Sequence, residues 1–107
     1  NYENYELTIQ LLQDYISNER SKNIQHLPEV YIMMGNSAFY LNQLETAIKY
    51  FIKSQSLRPL DFRCYEMAIM SYLKMGDKDN SIHLARQAYQ YFPNSNYIKS
   101  ILKGENA

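Results

Sequence analysis

Residues 31–59, YIMMGNSAFYLNQLETAIKYFIKSQSLRP, decide the fold, because their apolar spacing predicts two short helices that pack on each other. Met34 and Gly35 lie on one face of the first helix, and Ala47 and Phe51 lie on one face of the second. Small side chains let two helix backbones approach closely. We therefore expect Gly35 and Ala47 to face each other, or nearly so, at the closest approach of the two helices.

The same order of residue classes returns 34 residues further along the chain. Tyr31 corresponds to Tyr65, and Pro59, which ends the second helix because its ring removes an N–H donor, corresponds to Pro93. The other identical pairs are Met33 and Met67, Ser37 and Ser71, and Ile48 and Ile82. Both the period and the ordered residue classes resemble the tetratricopeptide repeat (TPR) family. An ordinary helical bundle with an accidental period is the alternative.

The resemblance implies an all-α fold, a right-handed α-solenoid of antiparallel helix pairs with about six helices. One domain would span residues 1–107. Residues 5–9 (YELTI) resemble residues 44–48 (LETAI), so residues 3–17 are interpreted as the second helix of a partial repeat. The other predicted parts are full repeats at 28–59 and 62–93 and a capping helix at 97–103. A chain that opens inside a repeat, without an initiator Met, is interpreted as part of a longer protein.

Local signals predict several helix ends. Pro28 suits the first turn of a helix, Asp61 is a good N-cap, and Gly76 can adopt the positive φ of a turn. The connector at residues 18–27 is five residues longer than the period requires, so a long loop is expected there. In the first predicted helix, Leu7, Leu11 and Ile16 are expected to cover the helix that starts at Pro28.

Composition excludes several classes of function. Eleven acidic and eleven basic residues balance, so nothing points to nucleic acid or an anionic membrane surface. The single cysteine, Cys64, forbids an internal disulfide. No apolar run is long enough for insertion into a membrane.

No arrangement of residues points to catalysis, a cofactor or a metal. His26 and His83 have no partners at metal-ligand spacing, and surface positions explain both. The three glycines form no phosphate-binding motif. The sequence therefore predicts no enzyme, no catalytic residues and no cofactor.

The resemblance implies instead that the first helix of each repeat lines a concave groove that holds a partner. The predicted groove residues are Ile32, Asn36, Phe39 and Tyr40 from the first repeat and Arg63, Glu66, Met67, Met70 and Lys74 from the second. Glu29, Met33 and Leu73 lie in the same helical rows. Each set follows a spacing of three and four residues.

The groove composition predicts what kind of partner binds. Some TPR domains clamp a C-terminal carboxylate with Lys and Asn side chains. Asn36 fits one such position, but Ile32 and Glu66 stand at two others, and Glu would repel a carboxylate. Met and aromatic residues suit an apolar or amphipathic peptide or helix. The alternatives are self-association through the solenoid ends and a regulatory domain for an enzyme or sensor that lies outside this fragment.

Overall fold

Six helices form the regular structure in a computed structural model, which describes residues 2–19 and 26–105. They are α1 (Tyr2–Glu19), α2 (Leu27–Tyr40), α3 (Leu44–Leu57), α4 (Phe62–Lys74), α5 (Lys78–Tyr89) and α6 (Asn96–Glu105). Those two ranges contain no strand. Each helix packs on the next one in the chain, and α2 also contacts α4. The predicted all-α, TPR-like solenoid is confirmed.

The predicted helix ends agree closely with the structure. Pro28 lies in the first turn of α2. Asp61 caps α4, since its side chain accepts a hydrogen bond from the backbone N–H of Arg63 at 3.1 Å. Gly76 turns the chain between α4 and α5 with a φ of 80°, and Asn42 does so between α2 and α3 with a φ of 62°. The long connector predicted at residues 18–27 falls largely on residues 20–25, outside the described ranges.

Helices α2 and α3 pack closely against each other at Gly35. A Cβ added there would lie 2.5 Å from Cε1 of Phe51, and the three nearest atoms all belong to that ring. The side chain that lies against Gly35 is therefore that of Phe51, one helical turn after Ala47 on α3, and Ala47 is fully buried in the same core. The fully buried core includes Ala38, Phe51, Cys64, Ala68, Ile69, Ala85, Ala88 and Ile98.

Helix α1 packs on α2 with a different face from the predicted one. Leu7 and Leu11 are 53% and 57% exposed, so the prediction that they cover α2 is wrong. Ile9 packs against the core cluster instead, and Leu12 and Ile16 are half-buried. The row of Leu7 and Leu11 and the row of Ile9, Leu12 and Ile16 are both apolar and both have helical spacing. The sequence alone therefore could not tell which row faces α2.

Helix α6 adds a further layer beyond α5. Ile98 is fully buried, and Tyr97, Ile101 and Leu102 pack against the core cluster. None of the described helices combines the length and the hydropathy needed to cross a membrane.

Candidate partner-binding face

The predicted groove residues lie mainly on one surface shared by α2 and α4. We call it the α2–α4 face. It consists of Glu29, Met33, Asn36, Phe39 and Tyr40 of α2 and Arg63, Glu66, Met67, Met70, Leu73 and Lys74 of α4, all exposed or half-buried. Side-chain contacts join the two helices near each end of this face. At one end Arg63 donates a hydrogen bond to Glu29, and at the other Lys74 lies over the ring of Phe39. Glu29 and Tyr40 span roughly 16 Å at about 1.5 Å per helical residue.

A charged cluster forms one end of this face. Arg63 donates two hydrogen bonds to the carboxylate of Glu29, at 2.9 and 2.7 Å. It donates two more to the carboxylate of Asp61, at 3.1 and 2.7 Å. These hydrogen bonds from Arg63 hold the pKa of Glu29 and of Asp61 below their usual values and raise that of Arg63. Because the guanidinium group of Arg63 is already hydrogen-bonded to two carboxylates, it is not available to bind the carboxylate of a ligand.

Aromatic side chains form the other end. The ring of Tyr40 stacks on that of Tyr5 from α1, with centroids 5.3 Å apart, and meets the ring of Phe39 edge-on at 5.7 Å. Nζ of Lys74 lies 4.8 Å from the centroid of Phe39, a cation–π distance. Tyr40 is nevertheless 56% exposed, so an aromatic surface remains open beside a positive charge.

Methionines and one amide lie between the two ends. Met33 is 46% exposed and Met70 is 38% exposed, while Met67 is half-buried against the core. Asn36 follows Met33 on the same face of α2. Its side-chain oxygen Oδ1 is buried and accepts no hydrogen bond from the described residues.

One predicted groove residue does not belong to this surface. Ile32 is only 4% exposed, so it is a core residue and its placement in an accessible groove is corrected. The cause is that α2 contacts three helices, α1, α3 and α4, and little of its circumference reaches solvent. The other eight residues are exposed or half-buried. Among them, Glu66 lies near Tyr97 of α6, whose pKa is raised by burial and, to a smaller extent, by the charge of Glu66.

Two contributors to this face were not predicted from the sequence. Asp61 was predicted as a helix cap but not as a partner of the Arg63 side chain. Tyr5 of α1 was not predicted beside Tyr40. A signal did exist for the charged cluster, since Glu29 and Arg63 have opposite charges and stand 34 residues apart, at the same position of the predicted repeat.

Reactive groups in the rest of the described chain have structural explanations. Cys64 is buried, its Sγ donates to the carbonyl oxygen of Asp61 at 2.9 Å, and burial raises the pKa of its thiol to about 11. His26 and His83 are exposed, as predicted. Within the described ranges, no three His, Cys, Asp or Glu side chains are grouped as metal ligands would be.

These observations define the class of protein, an all-α solenoid of consecutive helix pairs. Residues 28–59, which span α2 and α3, match the family model described as tetratricopeptide repeat. The chain therefore contains a tetratricopeptide repeat, as its sequence pattern indicated. A comparison with curated proteins gave no match. Repeats of this family generally serve protein–protein interaction, and stacked repeats create extended concave surfaces for that purpose.

Proposed function

We propose that this domain binds a peptide or helix of a partner protein on the α2–α4 face and has no catalytic activity of its own. The observation that carries the proposal is the apolar surface that Met33, Tyr40 and Met70 expose together on these two helices. Side chains of the partner would cover these apolar residues.

The composition of the face supports an apolar or amphipathic partner segment. Met side chains are flexible and polarisable, so Met33, Met67 and Met70 can repack around partners of different shape. The engaged Glu29–Arg63 pair at one end and Lys74 at the other give the apolar centre a charged rim. An apolar centre within a polar rim is the usual anatomy of a protein interface.

The proposal includes a second repeat at residues 62–93, flanked by the second helix of a partial repeat at 3–17 and by a capping helix at 97–103. Corresponding contacts support it. Asp61 caps α4, and Ser95, 34 residues later, accepts a hydrogen bond from the backbone N–H of Ile98 in α6. Gly76 follows α4 at a turn much as Asn42 follows α2, again one period apart.

Site-specific photo-crosslinking tests the location of the binding surface even while the partner is unidentified. A photoreactive residue at Met70 samples the α2–α4 face, and the same residue at Lys49, an exposed position of α3, is the matched control. We expect the Met70 probe to capture a partner that the Lys49 probe does not, and mass spectrometry then maps the captured segment. Capture by the Lys49 probe alone would refute the proposed location.

Self-association is the second candidate function, and exposed apolar residues on α1 favour it. Leu7 and Leu11 are more than half exposed and lie at the N-terminal end of the helix array. This candidate concerns the ends of the solenoid and does not depend on the α2–α4 face.

A further inference from the structure

One row of α4 on the α2–α4 face carries an acid, an apolar residue and a base. Glu66, Met70 and Lys74 follow one another at intervals of four residues, so their side chains lie on one side of the helix. Glu66 is half-buried, whereas Met70 and Lys74 are exposed. The two charges are separated by about 12 Å along the helix, which exceeds the screening length of about 8 Å in physiological salt. Glu66 and Lys74 therefore do not neutralise each other.

The carboxylate of Glu66 has no cation to balance it among the described residues. Arg63 precedes it by one turn of α4, but the guanidinium of Arg63 is hydrogen-bonded to Glu29 and Asp61. Asp61 also lies 4.0 Å from Arg58, so the ion pairs at this end of the face use both arginines and do not include Glu66. This end of the face therefore keeps one unbalanced negative charge on Glu66.

The surroundings of Glu66 favour a cation at this position. On the side of α6 it lies near Tyr97, a neutral side chain whose pKa is raised by burial and, to a smaller extent, by the charge of Glu66. Because Glu66 is half-buried, water screens its charge less than that of a fully exposed carboxylate. An ammonium or guanidinium group that approaches from the partner would therefore be attracted more strongly than at an ordinary surface site.

Lys74 provides the opposite charge at the aromatic end of the face. Its Nζ lies 4.8 Å from the centroid of Phe39, and the ion pairs among the described residues do not include it. The ring of Phe39 contacts that of Tyr40, which is 56% exposed. A carboxylate of a partner would pair with Lys74 while an apolar side chain next to it covers Tyr40.

We infer that the partner segment carries a Lys or Arg that pairs with Glu66 and an Asp or Glu that pairs with Lys74, with apolar side chains between them that cover Met70. This inference rests on the proposed binding of a partner to the α2–α4 face and adds the chemistry of that partner. The two charges of the partner must lie about 12 Å apart. That distance corresponds to about eight residues of a helix or about four residues of an extended chain.

Charge separates this occupant from others that an apolar surface could bind. An acidic segment is repelled by Glu66, and a basic one is repelled by Lys74. A wholly apolar segment would remove water from the carboxylate of Glu66 without supplying a partner for it, which costs free energy. Opposite charges at the two ends also fix the direction in which the segment lies on the face.

Selection from a displayed library of random linear peptides on the immobilised full chain tests the inference. Peptides recovered by the parent protein should carry a base and an acid at one of these two spacings, with apolar residues between them. The Glu66→Lys variant should recover peptides in which an acid replaces that base. Glu45→Lys makes the same charge change at an exposed position of α3 and should recover the same class of peptide as the parent.

Titration of one selected peptide against purified variants makes the test quantitative. Glu66→Gln keeps the size of the side chain and removes its charge, so it should weaken binding roughly tenfold. Glu45→Gln is the matched control and should bind like the parent. A peptide whose base is replaced by Glu should bind the Glu66→Lys variant more tightly than it binds the parent, because the attraction is restored. Melting curves check that each variant is folded.

The outcomes separate this inference from the proposed function. Peptides that lose affinity with Tyr40→Ala but bind Glu66→Gln and Glu66→Lys like the parent would overturn the inferred charges and leave the binding face in place. If the parent recovers no peptide, or only peptides that bind Tyr40→Ala and Glu66→Lys as tightly as the parent, both the proposed function and this inference are overturned.

Discussion

Gly35 shows how one residue determines the geometry of a helix pair. Its missing side chain lets the ring of Phe51 lie against the backbone of α2, and a single added carbon would come within 2.5 Å of that ring. Both residues are buried, so the ring has little room to retreat. The sequence predicted the close approach from the small residue, but it could not identify the opposing side chain, because Ala47 and Phe51 share one face of α3.

Replacing Gly35 by Leu should therefore destabilise the domain. Overpacking of this kind costs about 1–3 kcal/mol, and each kcal/mol lowers the melting temperature of a domain of this size by roughly 4–8 °C. Thermal unfolding followed by circular dichroism measures the change. Gly104→Leu is the matched control, because nothing lies within 4 Å of a Cβ at Gly104 in α6. Equal melting temperatures for the Gly35→Leu variant and the parent would contradict this packing of α2 on α3.

The Glu29–Arg63–Asp61 cluster makes stability depend on pH. The pKa of each carboxyl is depressed in the folded chain, so the stabilisation is complete above the ordinary values, 4.5 for Glu29 and 3.8 for Asp61. It is lost as the pH falls through the depressed values, because protonated carboxyls no longer attract the guanidinium. Arg63 and Glu29 are about half exposed, so the pair contributes no more than about 1 kcal/mol.

Arg63→Gln should thus lower the melting temperature slightly at neutral pH, and the difference from the parent should shrink as the solution is acidified below pH 4.5. Melting curves of both proteins across this range check it. Lys49→Gln, which removes an exposed charge outside the cluster, is the control and should shift the curve by a similar amount at every pH. A difference for Arg63→Gln that does not vary with pH would show that the cluster contributes nothing through its charges.

Helix α1 illustrates what a pattern can and cannot predict at the scale of an element. The apolar spacing correctly predicted a helix, and the structure gives Tyr2–Glu19 where residues 3–17 were expected. The inward face was assigned wrongly, because Leu7 and Leu11 form as regular a row as Ile9, Leu12 and Ile16. Which row is buried depends on the position of α2, and that information lies outside the local sequence.

Two substitutions in α1 separate its two faces. Ile9→Ala removes a side chain that packs on the core cluster and should cost about 1–2 kcal/mol. Leu7→Ala changes an exposed position and should stay within about 0.5 kcal/mol of the parent. Urea unfolding measures both free energies of unfolding. A larger loss from Leu7→Ala than from Ile9→Ala would mean that α1 packs on α2 with the face that carries Leu7 and Leu11.

At the scale of the whole molecule, the repeat period was the strongest guide. It predicted the helix array, the cap at Asp61 and the turn at Gly76, since these depend on local residues and on regular spacing. It also brought together most of the α2–α4 face, because corresponding residues of successive first helices lie side by side. The period wrongly placed Ile32 in the groove and did not predict the Tyr5–Tyr40 stack. Both depend on which neighbouring helices surround α2.

The central claim is that a partner binds on the α2–α4 face, and titration calorimetry with the partner segment mapped by crosslinking tests it most directly. Tyr40→Ala should weaken binding by about 2 kcal/mol, because an exposed aromatic residue is a typical anchor. Lys74→Ala should change the affinity less and mainly alter the salt dependence. Lys49→Ala on α3 should bind like the parent, and melting curves should show that all three variants are folded. Loss of binding with Lys49→Ala, together with unchanged binding by Tyr40→Ala, would contradict the account.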